Sequence, residues 1–311
     1  MLGSGSYREI VKLMGNRFEF SAVGDDKSLA KRSIVEAINE VNRIEALLTT
    51  FRETSQVNEV NRFAGIRPVK VDGEVIDLVL RSLKISLITQ GAFDITYGSI
   101  DKRLWNFDVN MTRLPDSKTA LKAVKLINYE NVIVNVEEST IMLKHKGMRI
   151  GFGGIGKGYA ADRARSIMIA MGIQSGIVNA AGDLVTWGTQ PGGQPWTIGI
   201  ADPNQQQHAF STLSISNMAI ATSGNYEKYA TIDGKRYSHT IDPKTGLPVS
   251  GIKSVSVLCP SAELADALAT PILVMGVKVG LDLINQLNNV ACVVIDDDNR
   301  MYASKNINLK Y

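Results

Sequence analysis

Residues 149–167 read RIGFGGIGKGYAADRARSI and place five glycines in the eight positions from Gly151 to Gly158. That density of residues without a Cβ makes a turn whose backbone can approach another surface or a ligand closely. The segment after it predicts a helix over 157–171 closed by Gly172. The positive end of that helix would face whatever the loop encloses. Two phosphate-binding signatures overlap here. Gly151 to Gly156 spells G-x-G-x-x-G, and Gly151 to Lys157 spells G-x-x-x-x-G-K. The dinucleotide fingerprint needs a parallel strand before it and an acid about 20 residues on. An antiparallel pattern precedes this loop, Asp162 is too near and Asp183 too far. The other signature needs Ser or Thr after the lysine to hold magnesium, and Gly158 stands there. The loop therefore belongs to neither fold. Lys157 still adds a point charge to a loop with the physics of a phosphate site, although a tight turn packing a helix on a sheet uses glycines in the same way.

The apolar periodicity around the loop sets the fold class. Leu29, Ile34, Ile38, Val41, Ile44 and Leu48 fall on one face of a helix predicted over 27–49. Further helices are predicted over 74–90, closed by Gly91, and over 117–127, with Asp116 or Ser117 as N-cap. From 131 the period changes to two. NVIVNVEESTIMLKHKGMRIGF alternates, turns at 137–139 and again near Gly147, and predicts an antiparallel ribbon. Strands follow in SGIVNAAGDL, WTIGIADP, STLSISNMAIATSG, KYATIDGKRYSHTIDP (with a hairpin at Asp233-Gly234), KSVSVLCP, VACVVID and MYAS. Helices are predicted from Ser261 and over 279–287. Antiparallel strands mixed with helices mean a single α+β domain of mixed, largely antiparallel sheets packed with helices.

Composition removes several function classes. The 311 residues are 44% hydrophobic and 21% charged with a net charge of +3, and no Lys/Arg run offers nucleic acid a footprint. No apolar run approaches the roughly 18 residues of a membrane span. The two cysteines, Cys259 and Cys292, lie in apolar strand patterns without C-x-x-C spacing and read as buried thiols. Residues 1–6, MLGSGS, read as an expression scar ahead of one domain over 7–311.

Eight blocks occur in a fixed order along about residues 13–276. They are LMGNRFEF, TFRETSQVNEVNR, GAFDITYGSIDKRLW, GGIGKGYAADRA, VNAAGDL, AIATSGNYEKY, YSHTIDPKTGLPV and AELADALATPILVMG. The fourth resembles GGIAKGYAVDRA of the FAD:protein FMN transferases, the ApbE-like family, and the others resemble that family's blocks in the same order. The resemblance implies a T-fold-related α+β domain. Three positions depart from it: Gly151 stands where the family commonly has an Asp thought to contact the flavin nucleotide, Asn225 replaces a common Asp, and Gly156 replaces Ala.

Asp266 and Thr270, four apart on a predicted helix, point from one face. A carboxylate and a hydroxyl are hard oxygen donors that suit Mg²⁺, although a buried Asp capping a loop would look the same. By resemblance a glycine-loop carbonyl completes the set, at Gly154 or alternatively Gly156. The resemblance also implies a binding site for FAD as substrate. Met14 borders the flavin nucleotide, Phe51 stacks on a ring, and Ala92, Phe93 and Asp94 form an adenosine-contacting loop in which Asp94 accepts hydrogen bonds. Lys157 and the loop amides face the pyrophosphate, Ser223 and Gly224 form a further loop over it, and Ile241 packs on the nucleotide. His239, one of three histidines, is a candidate base or phosphate contact, though a histidine in a strand is often structural. The expected catalytic set is His239, Asp266 and Lys157.

The expected reaction moves FMN from FAD to a Thr or Ser hydroxyl of an acceptor flavoprotein subunit, with AMP leaving. An FAD diphosphatase, with water in place of the hydroxyl, and a non-catalytic flavin carrier are the alternatives. By resemblance the protein is expected on the periplasmic side of the inner membrane, as a lipoprotein whose N-terminal anchor has been removed.

Overall fold

The computed structural model describes residues 5–101, 112–202, 205–224 and 229–307. Two paired strands open the chain, β1 (Gly5–Leu13) and β2 (Asn16–Gly24), with Gly5 and Ser6 already opposite Gly24 and Val23. In β2, Phe18, Phe20 and Ala22 turn inward at the period of a strand. Helix α1 (Lys27–Leu48) starts where the Asp26 side chain accepts from the Leu29 amide. It buries Ile34, Val41, Ile44 and Leu48 of the stripe that the sequence predicts, with Ala30 and Ala37 at its centre, while Leu29 and Ile38 lie half-buried at its edge. After it come α2 (Gln56–Arg62), β3 (Val69–Lys70) and α3 (Gly73–Ile88). A short 3₁₀ turn, Ile95–Ser99, is followed by α4 (Ser117–Ala123) and the hairpin of β4 (Val132–Asn135) and β5 (Thr140–Leu143).

The glycine loop leads into α5 (Gly156–Ala170), then β6 (Ser175–Ala180) and β7 (Asp183–Trp187). A long ribbon, β8 (Trp196–Asp202) and β9 (Gln205–Ile215), precedes β10 (Ala219–Gly224). The small hairpin of β11 (Tyr229–Ile232) and β12 (Lys235–Ser238) leads to β13 (Ile252–Cys259). Helices α6 (Ala262–Met275) and α7 (Val277–Ile284) and strands β14 (Ala291–Asp296) and β15 (Met301–Ala303) complete the described chain.

The main sheet has eight strands in the order β1-β2-β6-β7-β10-β13-β14-β15, and every neighbouring pair in it is antiparallel. Helices α1, α5 and α6 cover one face, with α5 between the other two. Beneath them lie Phe18, Val178, Val185, Ala221, Val257 and Val294. On the other face Leu184, Ile220, Leu258 and Val293 meet Leu213 and Ile215 of β9. Strand β13, covered on both sides, is buried at every position. Among the described residues no helix is long and apolar enough to cross a membrane.

Two predicted elements differ. The helix expected over 117–127 stops at Ala123. Beyond it the chain is tied elsewhere, because the amides of Asn128 and Tyr129 donate to Thr96 Oγ1 and Asp94 Oδ2. The stretch MRIGF, expected to extend the ribbon after Gly147, is not a strand, and the second partner of β5 is β3. Its backbone is satisfied by other groups. Arg149 N donates to Ser99 Oγ, Ile150 N to Asn61 Oδ1 and Gly151 N to the Ile95 carbonyl. Period-two apolarity is necessary for a strand but does not supply a partner.

Helices α5 and α6 are joined by Asp162, whose Oδ2 accepts from Ser261 Oγ at 2.8 Å and from the Glu263 amide at 3.0 Å. Asp162→Ala leaves both donors without that acceptor and should cost about 1–3 kcal/mol of stability. Urea denaturation should show a lower midpoint with an unchanged slope. An unchanged midpoint would mean that Asp162 does not hold the two helices.

Candidate active site

The cavity beside the glycine loop measures about 610 Å³, within the roughly 300–1,000 Å³ of small-molecule sites. Five separate segments wall it: Thr50 and Phe51 after α1, residues 92–98 after α3, the glycine loop, the turn from His239 to Pro243, and Thr270, Pro271 and Val274 of α6. Phe51 stands at the mouth and is 96% exposed. An apolar ring left in water beside a cavity is a stacking surface for a planar ligand.

Behind Thr270 lies a polar cluster built by α5, α6 and β7. The Lys157 ammonium contacts Asp183 Oδ2 and lies 3.6 Å from Asp266 Oδ1. Asp266 Oδ2 accepts from the Gly158 amide at 3.0 Å. Helix α5 has no capping side chain of its own, since Ile155 occupies its N-cap, and Asp266 supplies the missing acceptor from α6. Thr270, one turn beyond Asp266, shares a hydrogen bond of 2.9 Å with Ser223 Oγ. Pro271 has no amide to donate, so the Ala267 carbonyl is without its helical partner.

The charges of this cluster do not balance. Two buried carboxylates face one ammonium. Burial, and then the Asp266 charge, push the Asp183 carboxyl up to about 7. Burial raises Asp266 as well. Burial alone would lower Lys157, but the Asp266 and Asp183 charges outweigh it and hold its proton above the usual lysine range. A site in this state accepts one more positive charge. Its donors are hard oxygens: the Asp266 carboxylate, the Thr270 hydroxyl and the loop carbonyls. Among the described residues no three His, Cys, Asp or Glu side chains converge on a metal site. Few protein oxygens plus excess negative charge fit a small divalent cation that takes its remaining ligands from water and phosphate.

The structure sorts the predicted residues into two groups. Phe51, Ala92, Phe93, Asp94, Gly154, His239, Ile241 and Thr270 line the cavity. Asp266, Lys157 and Ser223 form the polar cluster behind it. Gly224 ends β10, and Asn225 lies outside the described residues, as do residues 102–105 of the third sequence block. Met14 is in the β1–β2 turn with a φ of 50°, its Cε against the face of Gly156. Two expectations change. Lys157, expected with the loop amides to face a pyrophosphate, is turned with the Gly158 amide to carboxylates of the protein itself, because Asp266 already occupies that helix end. Asp94 is less open to a ligand than expected. Its Oδ1 accepts from the Thr96 amide and hydroxyl, and its Oδ2 from the Tyr129 amide.

Three residues without a predicted role belong to the site. Asp183, in the block VNAAGDL, carries an acid straight after a glycine turn, and that was its only sequence signal. Tyr97 lines the cavity and its hydroxyl accepts from the Ile241 amide. Arg149 lines it as an exposed cation beside Gly151.

The ApbE family profile matches residues 14–294. The chain belongs to the ApbE family. A relative from Klebsiella pneumoniae (strain 342), an FAD:protein FMN transferase, is 29% identical over 301 residues, which is 96% of this chain and 92% of that one. An Escherichia coli (strain K12) protein of the same name is 31% identical over 284 residues, 88% of this chain and 80% of that one. The ApbE protein of Thermotoga maritima superposes with a TM-score of 0.85 at 30% identity and covers 97% of both chains. The Pseudomonas stutzeri flavinyl transferase ApbE in its apo form gives 0.86 at 26% identity, covering 98% of this chain and 96% of that one. The single-domain α+β architecture expected from the sequence is therefore that of ApbE structures.

Within this ApbE-family loop the glycines have separate causes, and none of the five has a left-handed φ. Gly153 has open space where a Cβ would go and lines the cavity. A Cβ on Gly158 would stand 2.1 Å from the Ala262 carbonyl oxygen and 2.8 Å from Asp266 Cβ. Gly158→Ala should therefore push α5 off α6 and lower the melting temperature by several degrees, in line with an overpacking cost of about 1–3 kcal/mol. Gly153→Ala should melt as the parent does. Equal melting of the two variants would contradict the assignment.

Proposed function

We propose that this chain transfers FMN from FAD to a Thr or Ser hydroxyl of an acceptor protein and releases AMP. The observation that carries the reading is the joining of a ligand-sized cavity to a cluster of hard oxygens with uncompensated negative charge, at Thr270. The names of the ApbE relatives support the same reaction.

The cavity binds FAD. Phe51 offers its face to a ring at the mouth, and Phe93 and Ile241 supply apolar walls. The neighbouring backbone is fixed by Thr89, which accepts from the Ala92 and Phe93 amides, and by the Asp94 cap on Thr96. The diphosphate lies toward the glycine loop, where Gly153 and Gly154 let the chain approach it closely. Asp266, Thr270 and a loop carbonyl, at Gly154 or Gly156, would hold Mg²⁺, which would neutralise the phosphoryl charge when bound. The acceptor hydroxyl oxygen attacks the FMN phosphorus, and the bond to the AMP oxygen breaks. The hydroxyl proton passes to a base, for which His239 at the cavity edge is the candidate, and AMP leaves as its phosphate anion. No covalent enzyme intermediate is required. The residues act by positioning and by excluding water, and good alignment is worth roughly 7–11 kcal/mol. The acceptor is a protein loop with Thr or Ser between small residues, of the kind carried by flavoprotein subunits of redox complexes. We place the reaction on the periplasmic side of the membrane, with an N-terminal lipid on the precursor as the anchor.

With FAD, Mg²⁺ and an acceptor of this kind, mass spectrometry should show one FMN added per acceptor and one AMP released. Changing the acceptor Thr to Ala should abolish the adduct and leave only slow AMP release. AMP formed at the same rate without acceptor, and no adduct, would make the protein an FAD diphosphatase. Asp266→Ala should lower FAD turnover by orders of magnitude, since a metal contributes several kcal/mol to such a step. Thr270→Val should lower it less, because a neutral donor contributes less charge. Unchanged turnover in Asp266→Ala would remove the metal from the reading.

A further inference from the structure

Asp183 has no part in the reaction above, yet it is the residue most tightly bound to Lys157. It opens β7 behind a turn in which Ala181 and Gly182 have φ of 58° and 102°. The Gly182 amide donates to Asn179 Oδ1 at 2.8 Å and closes that turn. The Thr222 backbone of β10 also faces the Asp183 carboxylate and favours its charged form. Its side chain is 6% exposed. Asp183 is thus fixed by backbone on two strands, whereas Lys157 reaches it along a flexible stem.

The two contacts of the ammonium are unequal. Nζ is in hydrogen-bond contact with Asp183 Oδ2. It is 3.6 Å from Asp266 Oδ1, beyond the ~3.2 Å of a good hydrogen bond. Without Asp183 the nearest carboxylate for a buried ammonium would be Asp266, and pairing there would occupy the oxygen that a cation needs. We propose that Asp183 is the counter-ion that holds the Lys157 ammonium off Asp266 and so keeps the Asp266 carboxylate open to the divalent cation. It is a positioning residue, and the inference rests on the reading of Asp266 as a cation ligand. One ammonium and one divalent cation then face two carboxylates, so the cluster's excess of one negative charge becomes an excess of one positive charge, which a phosphate can meet. The same residue ties the lysine to β10, where Ser223, next to Thr222, fixes the Thr270 hydroxyl.

The test is Mn²⁺ binding to the full chain without nucleotide, read by the EPR signal of unbound Mn²⁺ and competed with Mg²⁺. Circular dichroism checks that each variant is folded. Asp183→Asn should weaken binding by about 10- to 100-fold, the usual range for a group that supports a metal ligand. Lys157→Met alone should bind at least as tightly as the parent, because a competing cation is gone. The double variant Asp183→Asn/Lys157→Met should return to within about threefold of the parent, a strongly non-additive cycle. A double variant as weak as Asp183→Asn overturns the proposal, since Asp183 would then be a ligand itself or a strut between strands. Parent-like binding in Asp183→Asn also overturns it. Asp266→Asn separates the two levels. Its loss of Mn²⁺ binding supports the cation reading whatever Asp183 does, and parent-like binding removes that reading and the proposal with it.

Discussion

The site depends on one carboxylate placed at the end of a helix that cannot cap itself. Helix α5 begins with Ile155 at its N-cap and glycine in its first turn, so its amides and its positive dipole end need an acceptor from elsewhere. Asp266 comes from α6, 108 residues later in the chain, and accepts from the Gly158 amide. Asp162 of α5 returns the interaction by capping the start of α6 with Ser261. Each helix therefore completes the other's N-terminus. Gly158 lets them approach until the Ala262 carbonyl lies where a Cβ would be. Lys157 and Thr270 are placed by that contact, because both are within one turn of it.

Such a cap stores electrostatic imbalance as well as stability. A buried carboxylate is tolerated when paired or hydrogen-bonded. Here two of them share one lysine, and the remainder is expressed as a raised Asp183. In a core, that arrangement would be a liability. Beside a cavity, and under the proposed function, it is a place for a cation and for the phosphates that accompany it. The eight-stranded sheet serves this by delivering the start of β7 and the end of β10 to the same point.

Much of this was legible in the sequence, for physical reasons that differ between residues. Helix α1 declared itself because its apolar residues recur at steps of three to five from Leu29 to Leu48. Asp266 and Thr270 were visible as a pair because four residues is one helical turn. Phe51, Phe93, His239 and Ile241 were found through sequence blocks, and the fold brings them to one cavity from segments nearly 200 residues apart. What the sequence could not express was competition between partners. The glycine loop carries the marks of an anion site, but whether a phosphate or a carboxylate of the chain fills it depends on α6. Asp183 follows a glycine turn like many surface acids, and only the approach of Lys157 gives it a role. Likewise 148–152 alternates as a strand does, and Asn61 takes its backbone instead.

Under the proposed function, Asp266 and Thr270 form the protein's cation site at the end of the cavity that takes FAD. The most direct measurement is anomalous X-ray scattering from a crystal soaked with Mn²⁺ and FAD. The account predicts one strong peak about 2.0–2.3 Å from an Asp266 oxygen and from Thr270 Oγ1, with a phosphate oxygen of FAD as a further ligand. A peak elsewhere, or FAD bound in the cavity with no metal at Asp266, would contradict it.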